Sequence, residues 1–363
     1  MDNNQNYERY YYSFLKESEK RLYKFMANCL LNNQRKFIYI LNEENVDLIN
    51  ENLPVFTYKI DEFIVATKVW NALMLDYPEF YYVDINDFNQ EGNIILMGKE
   101  YDYYSQDEIK YINNELNLIL SEFKDINDDY ELELKVDEFI SNNYVYDNET
   151  ENYYVDENDL DFSFDKWKRH KEKFTVAGLI KYKKGVCSAF SLLAQYILQN
   201  KGIKVCNIET EIKSDSSEVI GHRLIAPYIK DSYYFLDVTF NNNFSKNKIF
   251  PYRMFFNMNI FEAEKYYNFF IEDTFPSCLK DTYNYYNQIG YSFNNILDFK
   301  NKFEKHLLNN LNHKFYFYFK VNFSDESSLI KECIYEITNK HQIDKNKVII
   351  KQFNNYYTVI YSI

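Results

Sequence analysis

Glycine is scarce in this chain, and its placement constrains the backbone more than any other feature. The 363 residues include seven glycines, and four of them lie between positions 178 and 221: Gly178, Gly185, Gly202 and Gly221. Glycine is needed where the backbone is left-handed or where another group approaches it closely. The segment 178–221 is therefore predicted to hold the most tightly specified backbone geometry of the chain.

Charge narrows the range of partners. The formal net charge is −14, and binding of phosphates requires clustered Lys and Arg, so neither nucleic acid nor an anionic membrane is expected as a partner. No apolar run approaches the roughly 20 residues of a membrane span. The first residues lack a basic segment followed by an apolar one, so no secretory signal is expected. The 37 Tyr and 31 Phe are interpreted mainly as core residues.

The cysteines exclude two structural uses. They are odd in number and widely spaced, and none forms a CxxC pair: Cys29, Cys187, Cys206, Cys278 and Cys333. This pattern is neither a disulfide framework nor a zinc site. A reducing, cytoplasmic setting follows as the simplest expectation, with no cofactor and no metal. Cys206 follows an apolar stretch on a predicted strand and is expected in the core.

The length predicts two or three domains, and the order of predicted elements indicates an α+β chain. An α+β region covers 1–128; within it, Ser105 and the acids after it predict a helix over 106–124. A core follows over 129–275. A helix and a β-α-β-β module are predicted within 285–363. No internal repeat is present, and the oligomeric state is left open.

A cysteine opens the most informative segment, KGVCSAFSLLAQYILQNKGI (184–203). Its apolar residues recur at helical spacing and predict one buried stripe: Phe190, Leu193, Ala194, Ile197 and Leu198. Gly202 stands where a helix-ending glycine is common. Cys187 is then at the N-terminal edge of the helix, where the dipole and free amides favour a thiolate and can receive an oxyanion. A lone cysteine in an apolar pattern is otherwise an inert core residue.

Two predicted strands, 221–229 and 233–240, flank a short turn-like segment. If Lys230 and Asp231 form a two-residue hairpin turn, Asp237 pairs with Leu224. His222 then lies on the same face as Asp237, with backbones roughly 7–8 Å apart. A three-residue loop would place the two side chains on opposite faces. With the shorter turn, Cys187, His222 and Asp237 are the parts of a Cys-His-Asp triad.

In this order and spacing the chain resembles the bacterial transglutaminase-like cysteine enzymes. The segment 184–203, the histidine strand and LDVTF (236–240) carry the likeness, which extends over most of 60–270. The resemblance implies a papain-like α+β core, in which a helix bearing Cys187 packs on an antiparallel sheet bearing His222 and Asp237. It also implies acyl transfer or hydrolysis at amides of a peptide or protein substrate.

Some residues depart from the family pattern. His222 is followed by RLI instead of Ala-Trp-Asn, Phe240 replaces a Trp, and EKYY (264–267) lacks a terminal histidine. An inactive binding or scaffold module is therefore the alternative to an enzyme. For an enzyme, hydrolysis (as a peptidase or deamidase) is favoured over cross-linking, since water needs no second substrate site. The second oxyanion donor is left open among Tyr144, Tyr146 and Tyr182.

Overall fold

The structure is a computed structural model. It describes residues 9–32, 37–40, 55–57, 63–83, 88–91, 94–97, 104–148, 164–213, 219–246, 250–270, 275–323 and 327–362. The α-helices are α1 (Tyr10–Ser13), α2 (Glu17–Leu31), α3 (Phe63–Asp76), α4 (Gln106–Glu122), α5 (Asp129–Asn143), α6 (Phe164–Glu172), α7 (Val176–Tyr182), α8 (Cys187–Asn200), α9 (Val238–Lys246), α10 (Ile260–Ala263), α11 (Tyr285–Gln288), α12 (Ile296–Asn310) and α13 (Ser327–Lys340). Of the helices in these ranges, none combines the length and apolar character required to cross a membrane.

The strands form three four-stranded sheets and one short pair. They are β1 (Phe37–Ile40), β2 (Val55–Thr57), β3 (Phe88–Glu91), β4 (Ile94–Met97), β5 (Val145–Tyr146), β6 (Lys184–Gly185), β7 (Val205–Ile212), β8 (Ile220–Ile229), β9 (Ser232–Tyr233), β10 (Tyr267–Phe269), β11 (Ser292–Phe293), β12 (Phe315–Val321), β13 (Val348–Phe353) and β14 (Tyr356–Tyr361). The sheet orders are β2-β1-β4-β3, β10-β7-β8-β9 and β11-β12-β14-β13, and β5 pairs with β6.

The N-terminal region combines helices with the first sheet, as the α+β prediction requires. Helices α2 and α3 pack together around Trp70 and Leu22, both buried. Helix α4 begins where the sequence predicts: Ser105 accepts the Glu108 amide at 3.2 Å, and the Glu108 carboxylate accepts the Ser105 amide at 2.9 Å. This reciprocal capping box satisfies two amides that a helix start leaves unpaired.

The central region places α8 against the sheet of β7 and β8. The predicted stripe of α8 is fully buried, as the 3.6-residue period requires. Its residues share one hydrophobic cluster with Val136 of α5, Leu179 of α7 and Ile225 of β8. Ile112 of α4 belongs to the same cluster, so the core extends across the predicted boundary at residue 128. The division into three domains stays a prediction.

The C-terminal region contains the predicted β-α-β-β order as β12, α13, β13 and β14, preceded by β11 and α12. Both helices bury one face against the sheet, through Phe299 and Phe303 of α12 and Ile334 of α13. In β12 the buried Phe315, Phe317 and Phe319 alternate with the half-buried Tyr316 and Tyr318. This is the two-residue period of a sheet with one covered face. The α+β class predicted from sequence is confirmed throughout.

Candidate active site

Cys187 is the first residue of α8, and three of the clustered glycines shape the chain around that helix. Gly202 follows the helix with φ +91°, and the Ile203 amide bonds back to the Leu198 carbonyl at 3.0 Å. This is the helix-ending geometry that the sequence predicts. A Cβ on Gly185 would stand 3.0 Å from Ala189 Cβ, and one on Gly178 would stand 2.0 Å from the Glu172 carbonyl oxygen.

The amides at the start of α8 are left for another partner. Helices α4, α5 and α7 have capping side chains, from Ser105, Asp128 and Thr175. The residue before α8 is Val186, whose side chain makes no capping hydrogen bond and has no atom that can accept one. First-turn amides without intrahelical partners, at the positive end of the helix dipole, favour an anion beside Cys187.

Cys187 also differs from the other thiols in its access to solvent. It is half-buried, whereas Cys29, Cys206, Cys278 and Cys333 are buried. Burial raises the pKa of Cys29 to about 11 and that of Cys206 well above its usual value. The thiolate is the nucleophilic form, so these buried cysteines are unreactive. Cys206 is fully buried in the core, as expected from the sequence.

The hairpin that carries His222 has the register that the shorter of the two turns predicts. Tyr228 pairs with Tyr233 and Ile229 with Ser232 around the two-residue turn, and a bridge joins Ile225 to Leu236. His222 itself lies on β8, opposite Thr210 of β7. The two-residue turn therefore directs His222 and Asp237 to the same side.

The prediction of a continuous strand over 233–240 is wrong beyond Tyr233. Strand β9 ends at Tyr233, and helix α9 begins at Val238, so Asp237 lies between a bridge and a helix. Its Oδ1 accepts the amides of Thr239 and Phe240, each at 2.9 Å. This is the geometry of an aspartate capping a helix start. The apolar residues before Asp237 suggest a continuous strand, but the carboxylate stabilises a helix instead.

His222 and Asp237 form a buried pair. Their Nε2 and Oδ2 atoms are 2.6 Å apart, and the side chains are 2% and 0% exposed. The hydroxyl of Tyr267 donates to the same Oδ2 at 2.6 Å. The carboxylate therefore accepts four hydrogen bonds, which offset the cost of burying its charge.

Tyr267 was not selected from the sequence. The residue lies on β10, which pairs with β7 two strands away from the Asp237 turn. Its ring lies nearly parallel to the His222 ring, at 8° and 5.7 Å between centroids. Phe240 lies on the same imidazole at 22° and 4.9 Å. The tyrosines of EKYY, noted only as a departure from the family pattern, were the available signal.

The Cys187 thiol interacts with the same imidazole. Because Nε2 is bound to Asp237, Nδ1 is the nitrogen left for the thiol. Burial lowers the pKa of His222, but the charge and hydrogen bond of Asp237, followed by those of Cys187, outweigh it and raise the pKa to about 10. An imidazolium at this position places a positive charge next to the Cys187 sulfur.

Arg223, one of the residues that depart from the family pattern, contacts the start of α8. Its Nη1 donates to Ser188 Oγ at 3.3 Å, and its guanidinium pairs with Glu209. Of the three oxyanion candidates, Tyr182 donates its hydroxyl to Glu172 and Tyr144 is buried. Tyr146 is half-buried on β5, where it pairs with Gly185. Across the described ranges, no group of three or more His, Cys, Asp or Glu side chains could hold a metal ion.

Comparisons with known proteins relate part of the chain to a described family. Residues 113–246 match a family model described as a transglutaminase-like domain. A solved structure of a proposed cysteine protease from Cytophaga hutchinsonii is 16% identical over 40% of this chain and 50% of that chain, with a TM-score of 0.24. A structure described as a TGase is 14% identical over 55% and 58%, with a TM-score of 0.30. The chain spans only about half the length of either, and such TM-scores carry no argument. The search of curated proteins found no match.

Proposed function

We propose that this protein, which contains a transglutaminase-like domain over residues 113–246, is a cysteine enzyme that hydrolyses amides of peptides or proteins. Cys187 is the nucleophile, His222 the general base and acid, and Asp237 the group that orients the imidazole. The observation that carries the proposal is the buried 2.6 Å contact between His222 and Asp237, together with the hydrogen bond between the Cys187 and His222 side chains.

Acylation follows from the positions of these groups. The proton of the Cys187 thiol moves to His222 Nδ1, and the thiolate attacks the amide carbon. The resulting oxyanion faces the free amides at the start of α8, which stabilise it without having to reorganise. The C–N bond then breaks while His222 returns the proton to the leaving nitrogen. The products are an amine or ammonia and a thioester on Cys187.

Deacylation uses the same residues in reverse order. His222 takes a proton from water, which attacks the thioester carbon. The C–S bond breaks, the acid product leaves, and the thiol is restored with the proton from His222. The carboxylate of Asp237 holds Nε2–H throughout, so that Nδ1 is free to accept a proton at each stage. Water requires no second organic substrate site, which favours hydrolysis over cross-linking.

The alternative is a transglutaminase-like protein that no longer catalyses and serves as a binding or scaffold module. That reading predicts a Cys187 sulfur remote from the imidazole. The interaction between Cys187 and His222 and the four hydrogen bonds on Asp237 argue against it. A site kept only for binding has no need of a buried charge held at this cost.

A labelling experiment tests the proposal. The full-length protein is treated with a peptide acyl probe that traps nucleophilic thiols, and labelled residues are identified by mass spectrometry. Cys187→Ala should abolish labelling, whereas the matched variant Cys206→Ala should label like the wild type because Cys206 is fully buried. Equal labelling of the two variants would contradict the assignment of Cys187.

The reaction type needs a second readout. The protein is incubated with a peptide library in the presence and absence of a primary amine, with Cys187→Ala as the control. Peptide cleavage identifies a peptidase, conversion of a side-chain amide to an acid identifies a deamidase, and amine incorporation identifies a transamidase. Predominant amine incorporation would overturn the preference for water while leaving the role of Cys187 intact.

A further inference from the structure

A cavity of about 440 Å³ lies beside the candidate active site. This volume is within the range of roughly 300–1,000 Å³ typical of ligand pockets. Residues from 74–83 form one wall, and residues of 168–192 form the other. Its lining is rich in aromatic rings, from Tyr77, Phe80, Tyr81, Tyr82, Tyr104 and Phe174.

The cavity includes two residues that are next in sequence to members of the proposed triad. Its lining includes Ser188, which follows Cys187, and Arg223, which follows His222. Ser188 Oγ donates to the Phe174 carbonyl oxygen at 2.8 Å and receives Arg223 Nη1 at 3.3 Å. Leu192, one helical turn beyond Ser188, continues the lining along the same face of α8. The lining therefore begins at the residue next to Cys187 and continues along α8, which favours contact between this cavity and a part of the substrate close to the attacked amide.

The charged groups of the lining are largely compensated by partners. Lys168 pairs with Glu108 at 3.3 Å. Glu172 pairs with Lys181 at 2.7 Å and also accepts the Tyr182 hydroxyl.

The remaining charges do not call for a charged ligand either. Arg223 pairs with Glu209, and Lys171 is exposed to solvent. Burial, followed by the charges of Lys171 and Lys173, lowers the pKa of His170, which favours its neutral form. A charged side chain that entered the cavity would lose its hydration among lining charges that mostly have partners already, which disfavours its binding.

We propose that this cavity binds a large apolar side chain of the peptide substrate, preferably an aromatic one, carried by a residue next to the one that Cys187 attacks. Aromatic side chains bury the largest apolar area and pack edge-to-face against rings such as those of the lining. The inference rests on the proposed function for the position of the scissile amide. It also assigns a role to the segment 74–83, which lies outside the transglutaminase-like domain and completes the specificity pocket.

Two peptide series test this, one by turnover and one by binding. In the turnover series the attacked residue is constant, and its neighbours are varied among Ala, Leu, Phe, Trp and Glu. We expect kcat/KM for Phe or Trp to exceed that for Ala by roughly tenfold or more, as burial of an aromatic side chain predicts, and Glu to be the poorest. In the binding series, N-acetylphenylalanine amide and N-acetylalanine amide are titrated into Cys187→Ala protein by NMR.

Variants locate the effect. Leu192→Trp fills the cavity and should abolish the aromatic-over-Ala ratio in both series. Phe174→Ala, which removes one wall at a residue 39% exposed, should reduce the ratio and serves as a second variant should Leu192→Trp misfold. Leu118→Trp, at an exposed position of α4 outside the lining, is the matched control and should leave the ratio unchanged.

The two series separate the two proposals. Aromatic-selective binding to Cys187→Ala protein that Leu192→Trp removes supports the pocket even where no peptide is turned over, and in that case only the proposed function fails. Turnover without aromatic preference, or equal binding of the two amides, overturns the pocket while leaving Cys187 as the nucleophile. An aromatic preference that Leu192→Trp and Phe174→Ala both leave intact also overturns it, since the selectivity then comes from another surface.

Discussion

Replacing Asp237 by Asn removes the negative charge beside His222 and keeps the shape of the side chain. The Asn Oδ1 can still accept the amides of Thr239 and Phe240, because Asn caps helices about as well as Asp. The Asn amide group, however, stands where Oδ2 accepts from His222 Nε2. It can only donate there, so Nε2 must become an acceptor and the proton must move to Nδ1. A protonated Nδ1 cannot take the Cys187 proton.

The size of the effect follows from the pKa of His222, which Asp237 and Cys187 together raise to about 10 against the effect of burial. At pH 8 a wild-type ring that has taken the proton of the thiol then keeps it almost completely, as imidazolium. Without the carboxylate, burial opposes the charge and the pKa falls to about 6.5 or below, which leaves at most about 3% imidazolium at pH 8. The imidazolium fraction at pH 8 therefore falls roughly thirtyfold. The wrong tautomer adds to it: in serine proteases the equivalent change lowers kcat about 10⁴-fold.

The raised pKa of His222 also makes the free energy of unfolding depend on pH. Its contribution is fully present below the unfolded-state pKa of about 6.5 and is lost as the pH rises through the folded-state value of about 10. The free energy of unfolding of the wild type, measured against that of Asp237→Asn, should therefore decrease between pH 7 and pH 10. Urea unfolding at a series of pH values measures this difference.

The titration can be observed directly by NMR. The chain has five histidines, so ¹³C-histidine labelling gives few resonances, and His222→Gln assigns the one required. Both proteins carry Cys187→Ala, which removes the thiol from the comparison. With Asp237 present the His222 resonance should stay in its charged form at pH 8, and with Asn it should titrate at or below about pH 6.5. A titration midpoint that Asp237→Asn leaves unchanged would refute the reasoning.

Three further predictions concern neighbouring features. Tyr267→Phe removes one of the four hydrogen bonds on the buried carboxylate and should shift the midpoint of the alkaline limb of kcat/KM, which a purely structural role would leave in place. Gly178→Ala brings a Cβ against a carbonyl oxygen at 2.0 Å and should destabilise the protein by about 3 kcal/mol in urea unfolding, whereas Gly221→Ala, with open space around it, should have little effect. Lys320→Ala leaves the buried Glu262 carboxylate without its cation and should cost about 3–5 kcal/mol, and a double-mutant cycle with Glu262→Leu should recover most of it. Additivity in that cycle would contradict the pairing.

Elements with a strong local signal could be predicted from sequence. The apolar period of α8 identifies its buried stripe, Gly202 its end and Ser105 the start of α4, because each depends on residues within one or two helical turns. The hairpin register follows from a two-residue turn at Lys230 and Asp231, because a strand has a period of two and a hairpin has no freedom of register once its turn is set.

The helix that begins at Val238 could not be predicted in the same way. Residues 233–240 have the composition of a strand, and their apolar alternation outweighs the single capping signal of Asp237. The outcome depends on tertiary contacts: the Asp237 amide donates to the Phe255 carbonyl, and its carboxylate is shared with His222 and Tyr267. A propensity computed along the chain contains none of these contacts.

The amino-acid sequence alone therefore predicts the class of the fold, much of the order of the elements and three candidate residues for a triad, since these follow from local periodicity, turn residues and spacing. Only the tertiary structure decides which groups surround them. Tyr267 meets Asp237 because β10 and β8 both pair with β7, and the aromatic cavity exists because residues 74–83 pack beside α8. Such contacts join distant positions through burial and sheet order, and no local pattern specifies them.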